Sequence, residues 1–333
     1  MTRNRQVLVT GAGGFIGHHL VRRLRADGHW VRGVDLKYPE YAETHANEFQ
    51  ILDLRQFEDC QRAVRGGIQQ VYNLAADMGG IGFITANHAQ IARNNTLINA
   101  HMLEASRGAD VTRFLFSSSA CVYAQAKQRN AEVTPLREED AYPADPEPGY
   151  GWEKLYAELL CTYYRQDYRL ETRIVRFHNV YGPLGTYEGG REKAPAAICR
   201  KVAVASNPGT IEIWGDGEQT RSFMFVDDCV EGLVRLMASD YSEPLNLGTD
   251  RLISVNGLVD LVCDIACKQL SRKYDLSKPQ GVRGRNSDNN RLREVLKWEP
   301  SISLEHGLKV TYRWIEQELK NAGRIEKALL AEA

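Results

Sequence analysis

Tyr150 and Lys154 stand four residues apart in the run Tyr150-Gly151-Trp152-Glu153-Lys154, so on a helix they share one face. A phenol titrates near about 10 and is a poor base at neutral pH, but an ammonium beside it favours the phenolate and lowers that value. Alone, such a pair is common and is usually a surface pair. Here it follows Ser117-Ser118-Ser119, the end of a strand-like run that can supply a third hydroxyl, and a loop with Pro143, Pro146, Pro148 and Gly149 precedes it. The combination suits proton transfer at an alcohol. Two residues beyond Ser119, Cys121 offers a thiol that can act as an acid or base, or simply fill a small buried space.

A second chemistry sits near the amino end, in Thr10-Gly11-Ala12-Gly13-Gly14-Phe15-Ile16-Gly17. Glycines between a strand and a helix let the backbone approach a pyrophosphate, and the helix N-terminus favours its charge. The G-x-x-G-x-x-G spacing is one residue off the commonest dinucleotide fingerprint, and a tight turn without a ligand is the alternative. Asp35 adds weight to the first reading. It closes the next strand, where a carboxylate can accept from an adenosine ribose and repel the extra phosphate of NADP. An Asp that merely ends a strand is the other reading. NAD is therefore the expected cofactor, with Gly11, Gly13, Gly14, Phe15, Ile16, Gly17 and Asp35 around it, and Asp53, Leu54 and Ala75 from later strand ends. Its positive nicotinamide would act with Lys154 on the Tyr150 phenol, so Tyr150 and Lys154 also belong to the cofactor site.

The elements that must position these groups alternate. Strands are expected at 7–10, 30–35, 49–53, 70–73, 114–117 and 172–177, with a helix over 15–26, which implies a doubly wound parallel α/β sheet of Rossmann type. After Tyr181-Gly182-Pro183 the pattern becomes irregular. It continues with a helix near 194–205 and strands at 211–214, 223–226 and 245–247. A NAD-binding domain over 1–183, to which 222–248 returns, and a smaller α/β substrate-binding lobe over 184–333 are expected. The net charge of −1 excludes a broad nucleic-acid surface, and no apolar run suits a membrane span or a signal peptide. The seven scattered cysteines suit a reducing cytoplasm, and Cys263 and Cys267 suit one helix face better than a zinc site, so no metal is expected.

On the joint Ser119, Tyr150 and Lys154 pattern the chain resembles the extended short-chain dehydrogenase/reductases, over nearly its whole length. Further stretches narrow the likeness: Gly79-Gly80-Ile81-Gly82, Gly189-Gly190-Arg191-Glu192-Lys193-Ala194-Pro195, Gln219-Thr220-Arg221-Ser222 and Gly284-Arg285-Asn286-Ser287. With Cys121 where sugar 4-epimerases usually carry a hydroxyl, they resemble the GDP-mannose 3,5-epimerase family. That resemblance implies Ser119, Tyr150 and Lys154 as the oxidising triad and Cys121 and Lys193 as the acid/base pair. It places Gly79, Ser119, Ala120, Cys121, Asn179, Glu192, Lys193 and Ala194 around the sugar. Lys201, Gln219, Thr220, Arg221 and Arg285 would contact the nucleotide diphosphate. It implies a homodimer, a GDP-sugar substrate, and recycled NAD that gives a transient 4-keto sugar. Two other functions stay open: a nucleotide-sugar 4-epimerase, and a non-catalytic NAD sensor, against which the intact triad speaks. Tyr123 is followed by Ala124-Gln125, where plant members typically have Pro-Glu.

Overall fold

The structure is a computed structural model and describes residues 4–325; residues 1–3 and 326–333, the outer ends of the two expected domains and the start of the amino-terminal reading, lie outside the described residues. Seven parallel strands form the central sheet: β1 (Gln6–Thr10), β2 (Trp30–Asp35), β3 (Glu48–Ile51), β4 (Gln70–Asn73), β5 (Arg113–Ser119), β6 (Glu171–Phe177) and β7 (Pro244–Leu247). Their order across the sheet is β7-β6-β5-β4-β1-β2-β3. The order reverses between β1 and β4, and the crevice beyond the carboxyl ends of these two strands is where a doubly wound sheet takes its ligand.

Both sheet faces are covered. Val7 and Val9 of β1 face one core with Leu20 and Val226, whereas Leu8 faces another with Met102, Phe114 and Phe116. Period-two alternation with both sides apolar is the mark of a buried parallel sheet. Each fully buried Leu or Val contributes about 1.5–3 kcal/mol relative to exposure. The helices Phe15–Ala26 and Val226–Ala238 cover the first face, and Phe57–Val64, His88–Gly108 and Tyr150–Tyr168 the second.

Beyond Tyr181 the chain adds the helices Ala194–Val204, Val255–Ala266 and Leu304–Asn321, and a parallel pair made by Gly209–Trp214 and Leu270–Asp275. Their apolar faces share one continuous core with the first sheet face.

Three local expectations shift. The strand expected at 49–53 ends at Ile51, so Asp53 lies in the turn after it. The run 223–226 supplies only a two-residue strand, Met224–Phe225, because Val226 already starts a helix with Asp227 and Asp228 in its first turn. Cys267 is not on a helix face with Cys263. It caps that helix in the left-handed conformation, with φ 52°.

Candidate active site

The glycine turn follows β1 directly. A Cβ on Gly13 would lie 2.2 Å from the Lys37 carbonyl oxygen, and one on Gly17 would lie 2.1 Å from that of Gly11. Gly11 has φ 69° and packs on the Leu74-Ala75 backbone. Only glycine fits these three positions. The helix that follows has no acidic residue in its first turn and no side-chain cap, which leaves its positive end suited to an anion. Thr10 ties the turn to β4, donating to Asn73 Oδ1 (2.9 Å) and accepting from the Leu74 and Ala75 amides (3.1 Å each). Asp35 accepts from the Gly13 amide at 3.0 Å and the Leu36 amide at 2.6 Å, while burial pushes its carboxyl up. Such a cradle suits a pyrophosphate with a ribose beside it, and the residues present fit NAD. Phe15 and Ile16 open the helix at the cradle. Leu54 is buried nearby, but the Asp53 carboxylate is held by Arg55 at 2.7 and 2.8 Å, which lowers its pKa.

At the end of β5, Ser119 accepts from the Cys121 amide at 3.2 Å and caps the short turn Ala120–Val122. That end is fixed from beneath. Ser118 donates to Glu158 (2.5 Å), which is paired with the buried Arg176 at 2.7 Å. Tyr150 begins its helix directly after Gly149, whose φ of 70° turns the chain past His88. A Cβ on Gly151 would sit 2.3 Å from the Cys121 carbonyl oxygen, so helix and turn approach at backbone distance. Tyr150 and Cys121 are consequently neighbours in one small cluster with Ile84 and Ile91, edged by Met78 and Phe83.

Lys154 is 1% exposed, donates to the Ser117 carbonyl at 3.0 Å, and lies 5.5 Å from the Tyr150 ring centre. Among the protein's own groups, the expected lowering of the Tyr150 phenol is not found. Burial raises it, Cys121 and Glu153 add to the rise, and Ser119 opposes them. Burial likewise lowers Lys154, against the pull of Glu153. The tyrosine is too deeply enclosed for a lysine that donates to a backbone carbonyl to outweigh desolvation.

The other wall comes from the irregular segment after β6. The Gly80 amide donates to the Arg191 carbonyl at 3.0 Å, and a Cβ on Gly80 would lie 2.4 Å from the Glu192 carbonyl oxygen. Arg191 reaches back to Asp77 and the Met78 carbonyl, both at 3.2 Å, and covers the Phe83 ring at 3.8 Å. This clamp sets Gly79, Glu192, Lys193 and Ala194 beside the cluster that holds Cys121. Lys193 caps the helix Ala194–Val204 with extended backbone, and Pro195 supports the helix start. Burial lowers the Lys193 pKa, and the nearby sulfurs of Cys121 and Cys229 oppose the shift. Glu192 accepts from the Gly190 amide and faces Arg200, and Asn179, at φ 45°, donates to the Ser222 carbonyl at 2.9 Å.

The residues expected at the nucleotide divide. Gln219 donates to the Trp214 carbonyl at 2.9 Å and leaves its Oε1 buried without a partner among the described residues. Thr220 donates to Ala131, Lys201 to the Glu212 carbonyl, and Arg221 to the Thr220 and Val282 carbonyls. Burial and the neighbouring Arg285 lower Arg221 to about 9. Arg285, expected from the resemblance at the diphosphate, is buried beside Cys121. It donates to Gln128 Oε1 (2.6 Å), to the Cys121 sulfur (3.5 Å) and to Glu147. Gln128 and Glu147 were not singled out from sequence, since each meets Arg285 more than a hundred positions away. Glu153 was also missed. It is buried and accepts from Asn95 (2.8 Å) and Asn99 (3.4 Å), continuing a polar chain through Asn73 to Thr10.

Comparison with known proteins gives the family. The model of the NAD dependent epimerase/dehydratase family matches residues 7–248. A GDP-mannose 3,5-epimerase of Arabidopsis thaliana is 47% identical over 96% of this chain and 84% of its own. One from Oryza sativa subsp. japonica is 47% identical over 95% and 82%. Among solved structures, the UDP-glucose 4-epimerase of Thermotoga maritima with UDP-glucose superposes with a TM-score of 0.86 at 28% identity, covering 94% of this chain and 99% of that one.

Proposed function

Because the chain belongs to the NAD dependent epimerase/dehydratase family and, within it, to the GDP-mannose 3,5-epimerases, we propose that it inverts GDP-D-mannose at C-3 and C-5. The products are GDP-L-galactose and, by inversion at C-5 alone, GDP-L-gulose. The observation that supports this reading is that Cys121 packs in one cluster with Tyr150 while Lys193 lies near enough to feel the Cys121 sulfur. A 4-epimerase needs only the triad.

Protons on C-3 and C-5 of a hexose are scarcely acidic until C-4 is a ketone; each then lies α to a carbonyl and leaves as a stabilised enolate. Bound NAD supplies a reversible hydride acceptor for C-4 and a positive charge that favours the Tyr150 phenolate. Gly11, Gly13, Gly14, Gly17 and Asp35 would hold it. Tyr150 takes the proton of the C-4 hydroxyl, Ser119 orients that hydroxyl, and Lys154 holds positive charge beside the phenol. One of Cys121 and Lys193 removes a carbon-bound proton and the other returns one to the opposite side. Burial serves this purpose for the lysine, since a lowered pKa provides a neutral amine nearer to working pH. Gln219, Thr220, Arg221 and Arg285, with Lys201, would face the nucleotide.

In this proposal the cofactor is held by residues 1–183 with 222–248, and the sugar nucleotide mainly by the lobe over 184–333. The seven cysteines are all free and five are buried, which supports a cytoplasmic setting. No helix among the described residues is long and apolar enough to cross a membrane. A homodimer is supported by Trp152, Tyr156, Leu159 and Tyr163, an exposed stripe along the helix Tyr150–Tyr168, continued by Leu97 of the neighbouring helix. Trp152→Glu with Tyr163→Glu is expected to halve the mass in sedimentation equilibrium, and an unmodified chain that sediments as a monomer removes the idea.

The chemistry is tested with GDP-mannose in heavy water, followed by NMR. Deuterium is expected at C-3 and C-5 and protium at C-4. Cys121→Ala and Lys193→Ala are each expected to slow inversion by about 10²–10⁴, or about 3–5 kcal/mol. Protium retained at both carbons, with product inverted only at C-4, returns the case to a 4-epimerase.

A further inference from the structure

Arg285 is among the most confined cations of the molecule, and its surroundings are unusual for a ligand-binding arginine. Its Nε donates to Gln128, one Nη to Cys121 Sγ at 3.5 Å, and the other Nη to the Glu147 carboxylate. Arg285 and Glu147 are both buried at the side chain, 7% and 12% exposed. Gln128 is in turn fixed by its own amide, which donates to the Tyr123 and Ala124 carbonyls at 3.1 and 3.4 Å. Glu147 is anchored as well, because its backbone amide donates to the Cys121 carbonyl at 3.0 Å. Four residues from three separate stretches thus close one ring around the sulfur.

We propose that Glu147 is a positioning residue for Cys121: with Gln128 it holds the Arg285 guanidinium against the sulfur, so that this buried ion pair sets the proton affinity of the thiol. The inference rests on the acid/base reading of Cys121 given above. A cation touching the sulfur stabilises the thiolate, and a carboxylate on the far side of that cation withdraws part of the effect. Other groups face the sulfur too: Tyr150 and Lys154 from the helix, Ser119 from β5, Lys193 from the opposite wall, and Arg221 beside Arg285. Only Glu147 and Arg285 combine opposite charge with direct contact to one another and to the thiol or its backbone. Burial is the main influence and raises the Cys121 thiol; of the two charges, Glu147 adds to the rise and Arg285 opposes it.

The test is the pH dependence of Cys121 alkylation by iodoacetamide in the NAD-loaded enzyme, read on the Cys121 peptide by mass spectrometry. Glu147→Gln keeps an acceptor for Arg285 but removes the charge. Its alkylation midpoint is expected to fall by about one pH unit, a tenfold gain in thiolate at a given pH. An unchanged or higher midpoint overturns the proposal. Gln128→Met gives an independent arm should Glu147→Gln fail to fold. It frees one edge of the guanidinium, so the midpoint is expected to rise, and an unchanged value again overturns the idea. Neither measurement requires turnover. If Cys121→Ala still inverted the sugar, the acid/base reading would fail while the alkylation result stood on its own.

Discussion

The Asp35 carboxylate accepts from the Gly13 and Leu36 amides, so beyond its proposed role at the ribose it braces the glycine turn. Removing it acts twice: the ribose acceptor is lost, and Gly13 is left with an unpaired amide. Hydrogen bonds to charged acceptors contribute about 1.5–3 kcal/mol. Asp35→Ala is therefore expected to weaken NAD binding by about 10–100-fold in titration calorimetry and to relax the preference over NADP. Equal affinity of the unmodified protein for both cofactors would refute the assignment. The residue types were legible at this scale because local spacing carries them. Ser119, Tyr150 and Lys154 lie on adjacent elements whose register follows from strand and helix periods. The protein partners of Arg285 were illegible for the converse reason. Its partners come from stretches 138 and more positions away, and a charge in a polar loop reads as a ligand contact until its neighbours are known.

Elements set the separation of the two walls. The sequence periodicity located the strands of the main sheet and the helix that carries Tyr150, and tertiary pairing then trimmed the ends. The strand near Phe49 stops at Ile51, where its pairing with β2 stops. What periodicity could not show is the clamp between the turn before Ile81 and the stretch before Lys193, since neither segment has a repeating pattern. Gly80 is the contact point, and its missing side chain is what permits the Arg191-Glu192 backbone to approach. Gly80→Ala cannot be relieved by a rotamer change because the opposing atom is a carbonyl oxygen. The two segments must part, and Lys193 moves with the second. Misplacement of about 1 Å costs on the order of 10²-fold in rate. We expect kcat/KM for the GDP-sugar to fall by about 10–100-fold with NAD affinity unchanged, because the glycine turn is braced separately by Thr10 and Asp35. Loss of NAD binding in this variant, measured by calorimetry, would show that the clamp supports the whole crevice instead.

At the scale of the whole molecule, buried histidines link stability to pH. Burial lowers His178 to about 3 and His18 to about 4, with His19, His45 and Arg22 adding to the latter shift, and burial also lowers His19 and His29. In the unfolded chain each titrates near about 6.5. Between about pH 6.5 and 4 the unfolded state therefore binds protons that the folded state refuses. Stability rises with pH in that window and falls on acidification, by up to about 1.4 kcal/mol per pH unit for each histidine. Carboxyls that burial raises, Asp35, Glu138, Glu153 and Asp228, act in the opposite sense, since the folded state keeps their protons to higher pH. Between about pH 6.5 and 5 the four histidines all act in the same direction. Scanning calorimetry at fixed protein and NAD concentration is expected to show Tm dropping steadily across this interval. His18→Asn, which removes one titrating ring near the glycine turn, is expected to shallow that slope whatever its effect on Tm at neutral pH. A Tm that stays level from pH 6.5 to 5 in the unmodified protein would mean that these rings accept protons in the folded state, and the buried neutral histidines would have to be abandoned.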